Sequence, residues 1–72
     1  MKNNIKAQRA IHNLTQQQIA EMVGVSRQTI NAMELGKYVP STLLALKIAA
    51  VLGKTVNEIF SLEDSEQPSM QL

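Results

Sequence analysis

Two segments with helical periodicity, residues 16–23 and 27–34, are separated only by Gly24, Val25 and Ser26. That three-residue link narrows what this chain can fold into more than any other feature. With Gly at its first position, it forces a sharp angle between two short helices. Ile19 and Val23 lie four apart and share a face of the first segment, while Ile30 and Met33 share a face of the second. Ala20 is small where the two segments must cross closely, and Val25 can turn inward from the link.

The rest of the chain is punctuated in the same way. Gly24, Gly36 and Gly53 each follow a helix-like run. Thr15 with Gln18, and Thr55 with Glu58, have capping-box spacing, and Ser26 and Ser41 are suitable N-caps. These signals predict five helices, roughly 3–12, 16–23, 27–34, 42–52 and 56–60, with one short extended piece near Ser61. Leu44, Ile48 and Leu52 form a stripe along the fourth, and Ile5, Leu14, Val25, Val56 and Ile59 can close the core. The expected organisation is one all-α domain, 1–60, with a short acidic tail, 61–72, mobile or associated with a dimer.

At 72 residues the chain holds one domain with a modest core. It has no Cys, so neither a disulfide framework nor a thiolate metal site reinforces it, and oligomerisation remains a route to extra stability. The longest strongly apolar run, 43–52, contains Lys47 and is too short to span a bilayer. With no signal-peptide pattern at the start, a cytoplasmic location is expected. The net charge of +1 conceals an asymmetry. Residues 1–60 hold all seven Lys and Arg against Glu21, Glu34 and Glu58, whereas 61–72 hold Glu63, Asp64 and Glu66. A basic body with an acidic tail points to an anionic partner for the body.

The sharply angled pair is a helix-turn-helix unit. Its second helix opens with "VSRQTIN", residues 25–31. Because Ile30 points inward, Arg27, Gln28 and Asn31 lie on the outer surface. Arg can grip guanine O6 and N7 through two hydrogen bonds, and Gln or Asn can grip adenine N6 and N7. Thr29 can reach a phosphate or a thymine methyl. On composition alone such a face is an ordinary solvated surface; the surrounding unit turns the reading toward base contact.

"LTQQQIAEMVGVSRQTINAMELGKYVPS", followed by "LALKIAAVLG", resembles the phage-repressor/Cro-like (XRE) family of transcription regulators, in particular its compact stand-alone members. The resemblance covers about residues 2–60. It implies a five-helix, lambda-repressor-like fold whose third helix enters the major groove. It also implies base reading by Arg27, Gln28 and Asn31, with Thr29 beside them. Gln16, at the positive end of the second helix, is the implied phosphate contact, with Ser26 and Lys37 on the same backbone-facing side. An ion pair between Arg9 and Glu34, four after Ile5 and Ile30 respectively, is implied as well. Three positions depart from the pattern: Leu35 replaces a polar residue before "GK", Gln8 stands where a core Leu is usual, and Ala32 has no hydrogen-bonding side chain.

Other residues read more plainly. His12 has neither a Cys nor a second His to join it, so no metal role is expected. Met22 and Met33 are expected to pack, Met1 is the start residue and Met70 belongs to the tail; no cofactor is implied. Tyr38 is expected to pack the loop after the third helix. No nucleophile with a general base, paired carboxylates or phosphate-cradling loop suggests an enzyme. The fourth helix has a surplus: Leu43, Leu46 and Ala50 make a second apolar face, which Phe60 and Leu62 can extend. The reading is a repressor that binds an inverted-repeat operator in double-stranded DNA as a homodimer through that face, with no small-molecule ligand evident. The rival is a protein-interaction module, such as the antitoxin of a toxin–antitoxin pair, that binds DNA secondarily.

Overall fold

The computed structural model describes residues 1–69. Five helices form the body: α1 (Ile5–Ile11), α2 (Gln16–Val23), α3 (Arg27–Glu34), α4 (Thr42–Leu52) and α5 (Val56–Ile59). Two short strands, β1 (Lys2–Asn3) and β2 (Phe60–Ser61), pair antiparallel, with Lys2 opposite Ser61 and Asn3 opposite Phe60.

Local chemistry sets the helix ends. The Thr15 hydroxyl accepts the Gln18 N–H at 3.0 Å, and the Gln18 side chain accepts the Thr15 N–H at 2.8 Å. These two bonds satisfy donors that the first turn of α2 would otherwise leave open. Ser26 accepts the Thr29 N–H and Ser41 the Leu44 N–H, both at 3.2 Å. In α5 the Thr55 N–H donates to Glu58 at 2.9 Å, and this backbone bond holds the Glu58 carboxyl below its ordinary pKa.

The C-terminal ends share one device. At α3, Gly36 N–H donates to the Met33 carbonyl at 2.9 Å and Lys37 N–H to the Ala32 carbonyl at 2.8 Å. This paired closure needs a left-handed residue, and Gly36 provides it at φ +74°. At α1 the same closure is built on Asn13, φ +54°, with Leu14 N–H donating to Arg9 at 2.9 Å. Asn tolerates this conformation better than other side-chain-bearing residues.

The core is contiguous: Ile5, Ile19, Ala20, Val23, Ile30, Met33, Leu44, Ala45, Ile48, Ala49, Leu52, Ile59 and Phe60 are buried, with Leu14, Val25 and Val56 partly buried against them. Helix α2 packs on both α3 and α4. Ile30 and Met33 anchor α3 by its inner face, which fixes its rotation. Truncating Ile30 to Ala would cost about 2–5 kcal/mol, a large part of the roughly 4–11 kcal/mol available to a domain of this length.

Several details differ from the sequence expectation. Helix α1 begins at Ile5 because residues 2–3 are extended in β1, and it ends at Ile11 because Asn13 turns left-handed. Helix α5 stops at Ile59, since Phe60 is extended and pairs with Asn3. Met22 and Tyr38 are exposed rather than packed; the inward positions of α2 are already filled by Ile19, Ala20 and Val23. In the acidic tail, Asp64–Glu66 form a 3-10 turn, and Glu66 lies 3.0 Å from the N-terminal amine. Met70 and the two residues after it lie outside the described residues.

Candidate nucleic-acid interface

The outer side of α3 is built by its inner side. With Ile30 and Met33 locked in the core, Arg27, Gln28 and Asn31 fall on the exposed surface. Thr29 and Ser26 meet at the start of the helix. Ser26 caps α3, and its hydroxyl lies 3.0 Å from that of Thr29, which is half-buried. Thr29 therefore faces the cap more than the open surface. Lys37 is exposed on the turn that closes α3.

Gln16, the first residue of α2, is the hub of this surface. Its Nε2 donates to Asn31 Oδ1 and to Glu34 Oε1, each at 3.1 Å. Its Oε1 is 3.5 Å from Arg27 Nη1, a weak contact at the limit of hydrogen bonding. Both ends of the carboxamide are thus directed toward α3. Fixed donors and acceptors lose less freedom on meeting a ligand than free side chains do.

The network is rooted in the Arg9–Glu34 ion pair. Arg9 Nε is 2.6 Å from Glu34 Oε2 and Nη2 is 3.0 Å from Oε1, a fork-to-fork geometry. The two side chains are only 14% and 6% exposed. Arg9 Nη1 also donates to the Leu14 carbonyl at 2.9 Å, which stitches the α1–α2 loop to the pair. The hydrogen bond to Glu34 holds the guanidinium pKa above its ordinary value, against the opposing effect of burial. Glu34 thus serves the architecture although it lies on α3, while its Oε1 also holds Gln16.

One residue of this surface had no functional reading in the sequence. Asn3 donates from Nδ2 to the Met33 carbonyl at 2.8 Å, at the end of α3. No local signal pointed to it: the sequence expectation began the first helix at residue 3, and the Met33 carbonyl lies thirty positions away.

A second surface lies at the α4–α5 end. Leu43 and Leu46 are 65% and 55% exposed, Leu62 is 44% exposed, and Ala50 is exposed beside them. Phe60 is a correction: it is 7% exposed and belongs to the core, because its strand pairing turns the ring inward. It forms part of the floor of two adjoining apolar hollows of about 330 and 390 Å³, which Met1 and Val56 also line. Leu46 borders one and Leu62 the other.

Among the described residues, no group of three or more His, Cys, Asp or Glu could hold a metal ion, and no helix is long and apolar enough to cross a membrane. An angled helix pair with an exposed, polar second helix defines the class of helix-turn-helix DNA-binding domains. The chain belongs to the helix-turn-helix family of the phage-repressor type, whose pattern matches residues 5–59.

Its relatives carry the same description. It is 56% identical over 66 residues to an uncharacterized HTH-type transcriptional regulator of Methanocaldococcus jannaschii, covering 92% of this chain and all of the relative. It is 47% identical over 64 residues to the uncharacterized HTH-type transcriptional regulator YgzD of Bacillus subtilis, covering 89% and 97% of the two chains. A third such regulator, from Archaeoglobus fulgidus, is 46% identical over 66 residues, covering 92% of this chain and 93% of the relative. The family consists of non-enzymatic DNA-binding proteins, and the protein is a regulator of that kind.

Proposed function

We propose that this protein is a cytoplasmic repressor that binds an inverted-repeat operator as a homodimer. The observation that carries the reading is the exposed row of Arg27, Gln28 and Asn31 on a helix whose rotation the core fixes, with Gln16 joined to it by hydrogen bonds. Arg27 and Gln28 read base edges in the major groove. Lys37, just beyond α3, meets the phosphate backbone, and Gln16, at the positive end of α2, exchanges one of its Nε2 bonds to α3 for one to phosphate. Thr29 and Ser26 support this face from the cap rather than lead it.

The dimer rests on Leu43, Leu46, Ala50 and Leu62, which leave an apolar surface uncovered on a small domain. Pairing there leaves both copies of α3 free. The two recognition helices then lie about 34 Å apart, and half-site centres fall roughly 10 base pairs apart. Such a complex shuts off transcription by occupying promoter DNA.

Selection of bound sites from a random DNA pool tests the reading, followed by sedimentation of the protein alone and on a selected site. The expected result is an inverted repeat carrying two copies of the chain. A pool that yields no preferred sequence, or a single copy on an asymmetric site, would overturn it.

A further inference from the structure

The end of α3 is held by a residue thirty positions earlier in the chain. Asn3 sits in β1 opposite Phe60. Its Nδ2 donates to the Met33 carbonyl at 2.8 Å, and its Oδ1 accepts the Ile5 N–H at 3.1 Å. One end of the carboxamide meets an acceptor and the other a donor, so a flipped amide would oppose like groups at both.

The carbonyl it grips is a particular one. Met33 O already accepts the Gly36 N–H at 2.9 Å, half of the turn that closes α3. The other half is the bond from Lys37 N–H to Ala32. A carbonyl oxygen has two lone pairs, and here each has a donor. The Met1 carbonyl also lies along this turn, 3.8 Å from where a Cβ on Gly36 would stand. Strand β1 therefore runs beside the turn that presents Lys37.

A helix as short as α3 does not hold its own ends in water; packing and caps must do so. Its start has Ser26. Its finish has the Gly36 closure, with Asn3 as the tertiary contact on that closure. Were the last turn to fray, Lys37 would swing with it, and hydrogen bonds to phosphate weaken steeply with misplacement.

We propose that Asn3 is a positioning residue for DNA binding. It locks the closing turn of α3 so that Lys37 is presented to the DNA backbone. Through the Asn3–Phe60 pairing it also ties that presentation to the apolar end of the molecule. This inference rests on the reading of α3 and Lys37 as the DNA-facing elements.

The experiment measures fluorescence anisotropy of a labelled operator, selected with the wild-type protein, across a salt series. The proteins are wild type, Asn3→Ala, Asn3→Asp, Lys37→Ala and the Asn3→Ala/Lys37→Ala double variant. The temperature is one at which circular dichroism shows each of them folded. Asn3→Asp keeps an acceptor for the Ile5 N–H but has no donor for Met33, and Asn3→Ala, which adds no charge, separates loss of that contact from the effect of the new carboxylate.

Both Asn3 variants should lose about fivefold or more in operator affinity, the equivalent of one net hydrogen bond. Both should flatten the dependence of affinity on salt, as Lys37→Ala does. The Asn3→Ala loss should largely disappear once Lys37 is already Ala, which a merely stabilising role would not produce. In spectra of the free protein, the Gly36 and Lys37 amide signals should move in each Asn3 variant.

Folded Asn3 variants that bind within twofold of wild type at an unchanged salt slope would overturn the proposal. Strictly additive losses in the double variant would overturn it too, as would a Lys37→Ala protein that binds as tightly as wild type. If Asn3→Asp does not fold, Asn3→Ser takes its place under the same criteria. A wild-type protein that selects no DNA defeats the DNA-binding reading itself; wild-type binding matched by the Asn3 variants defeats only this inference.

Discussion

Replacing Glu34 with Ala should be among the most damaging single changes outside the apolar core. The substitution removes both carboxylate contacts to Arg9, at 2.6 and 3.0 Å, together with the 3.1 Å bond from Gln16. Arg9 would keep only its bond to the Leu14 carbonyl, on a side chain 14% exposed. Breaking a buried pair by removing one partner costs about 3–5 kcal/mol, against about 1 kcal/mol or less for an exposed pair. The partial access of Arg9 to water and its remaining bond place the loss near the lower end, about 3 kcal/mol. For a domain of this size each kcal/mol moves the midpoint by roughly 4–8 °C, so Tm should fall by roughly 12–24 °C. Thermal unfolding of Arg9→Ala, Glu34→Ala and the double variant is the assay. The double variant should be much less destabilised than the sum of the singles, because Ala at both positions leaves no buried charge. Additive losses, or a Glu34→Ala midpoint within 3–4 °C of wild type, which corresponds to less than about 1 kcal/mol, would refute the argument.

Five further substitutions test other parts of the molecule. Arg27→Ala or Gln28→Ala should leave the fold intact and cost about 1–3 kcal/mol of operator binding, relaxing preference at one base pair per half-site, whereas Lys37→Ala should weaken binding to all sequences alike; anisotropy against matched and scrambled sites separates the two. Leu46→Glu should split the dimer in sedimentation and lower operator affinity, since each half then binds without the gain of linkage, while the core on Leu44, Ile48 and Leu52 stays folded. Gln8→Leu should raise stability by about 1 kcal/mol in denaturant unfolding, because the Gln8 side-chain oxygen is buried with no hydrogen-bond partner.

The boundaries of α2, α3 and α4 were legible because each helix begins at a side-chain cap and ends at or beside a left-handed Gly. Arg27 and Gln28 could be placed outward once Ile30 was placed inward, since helical spacing leaves no other choice. What stayed hidden depends on partners far apart in sequence. The two-residue strands are too short to show alternation, so neither the extended start of the chain nor the burial of Phe60 was visible. Gln16 announces donors and acceptors, but only the packing of α2 on α3 turns them toward Asn31 and Glu34. Asn13 ends α1 in a role usually given to Gly, and a lone Asn in a polar stretch does not announce it.

The β1–β2 ladder has a consequence for the order in which the molecule assembles. It joins Asn3 to Phe60, so it closes a loop comprising nearly the whole domain. Holding the ends of a flexible chain of roughly sixty residues together costs about 3–4 kcal/mol or more in entropy, and two residue pairs cannot supply that alone. The helices must first bring the two ends near one another, so the ladder zips last during folding. By the same reasoning it opens first, and the backbone amides of Asn4 and its neighbours should exchange with deuterium well ahead of those in α4. A short loop joining the end of β2 directly to the start of β1 would lower this entropic burden and slow that early opening.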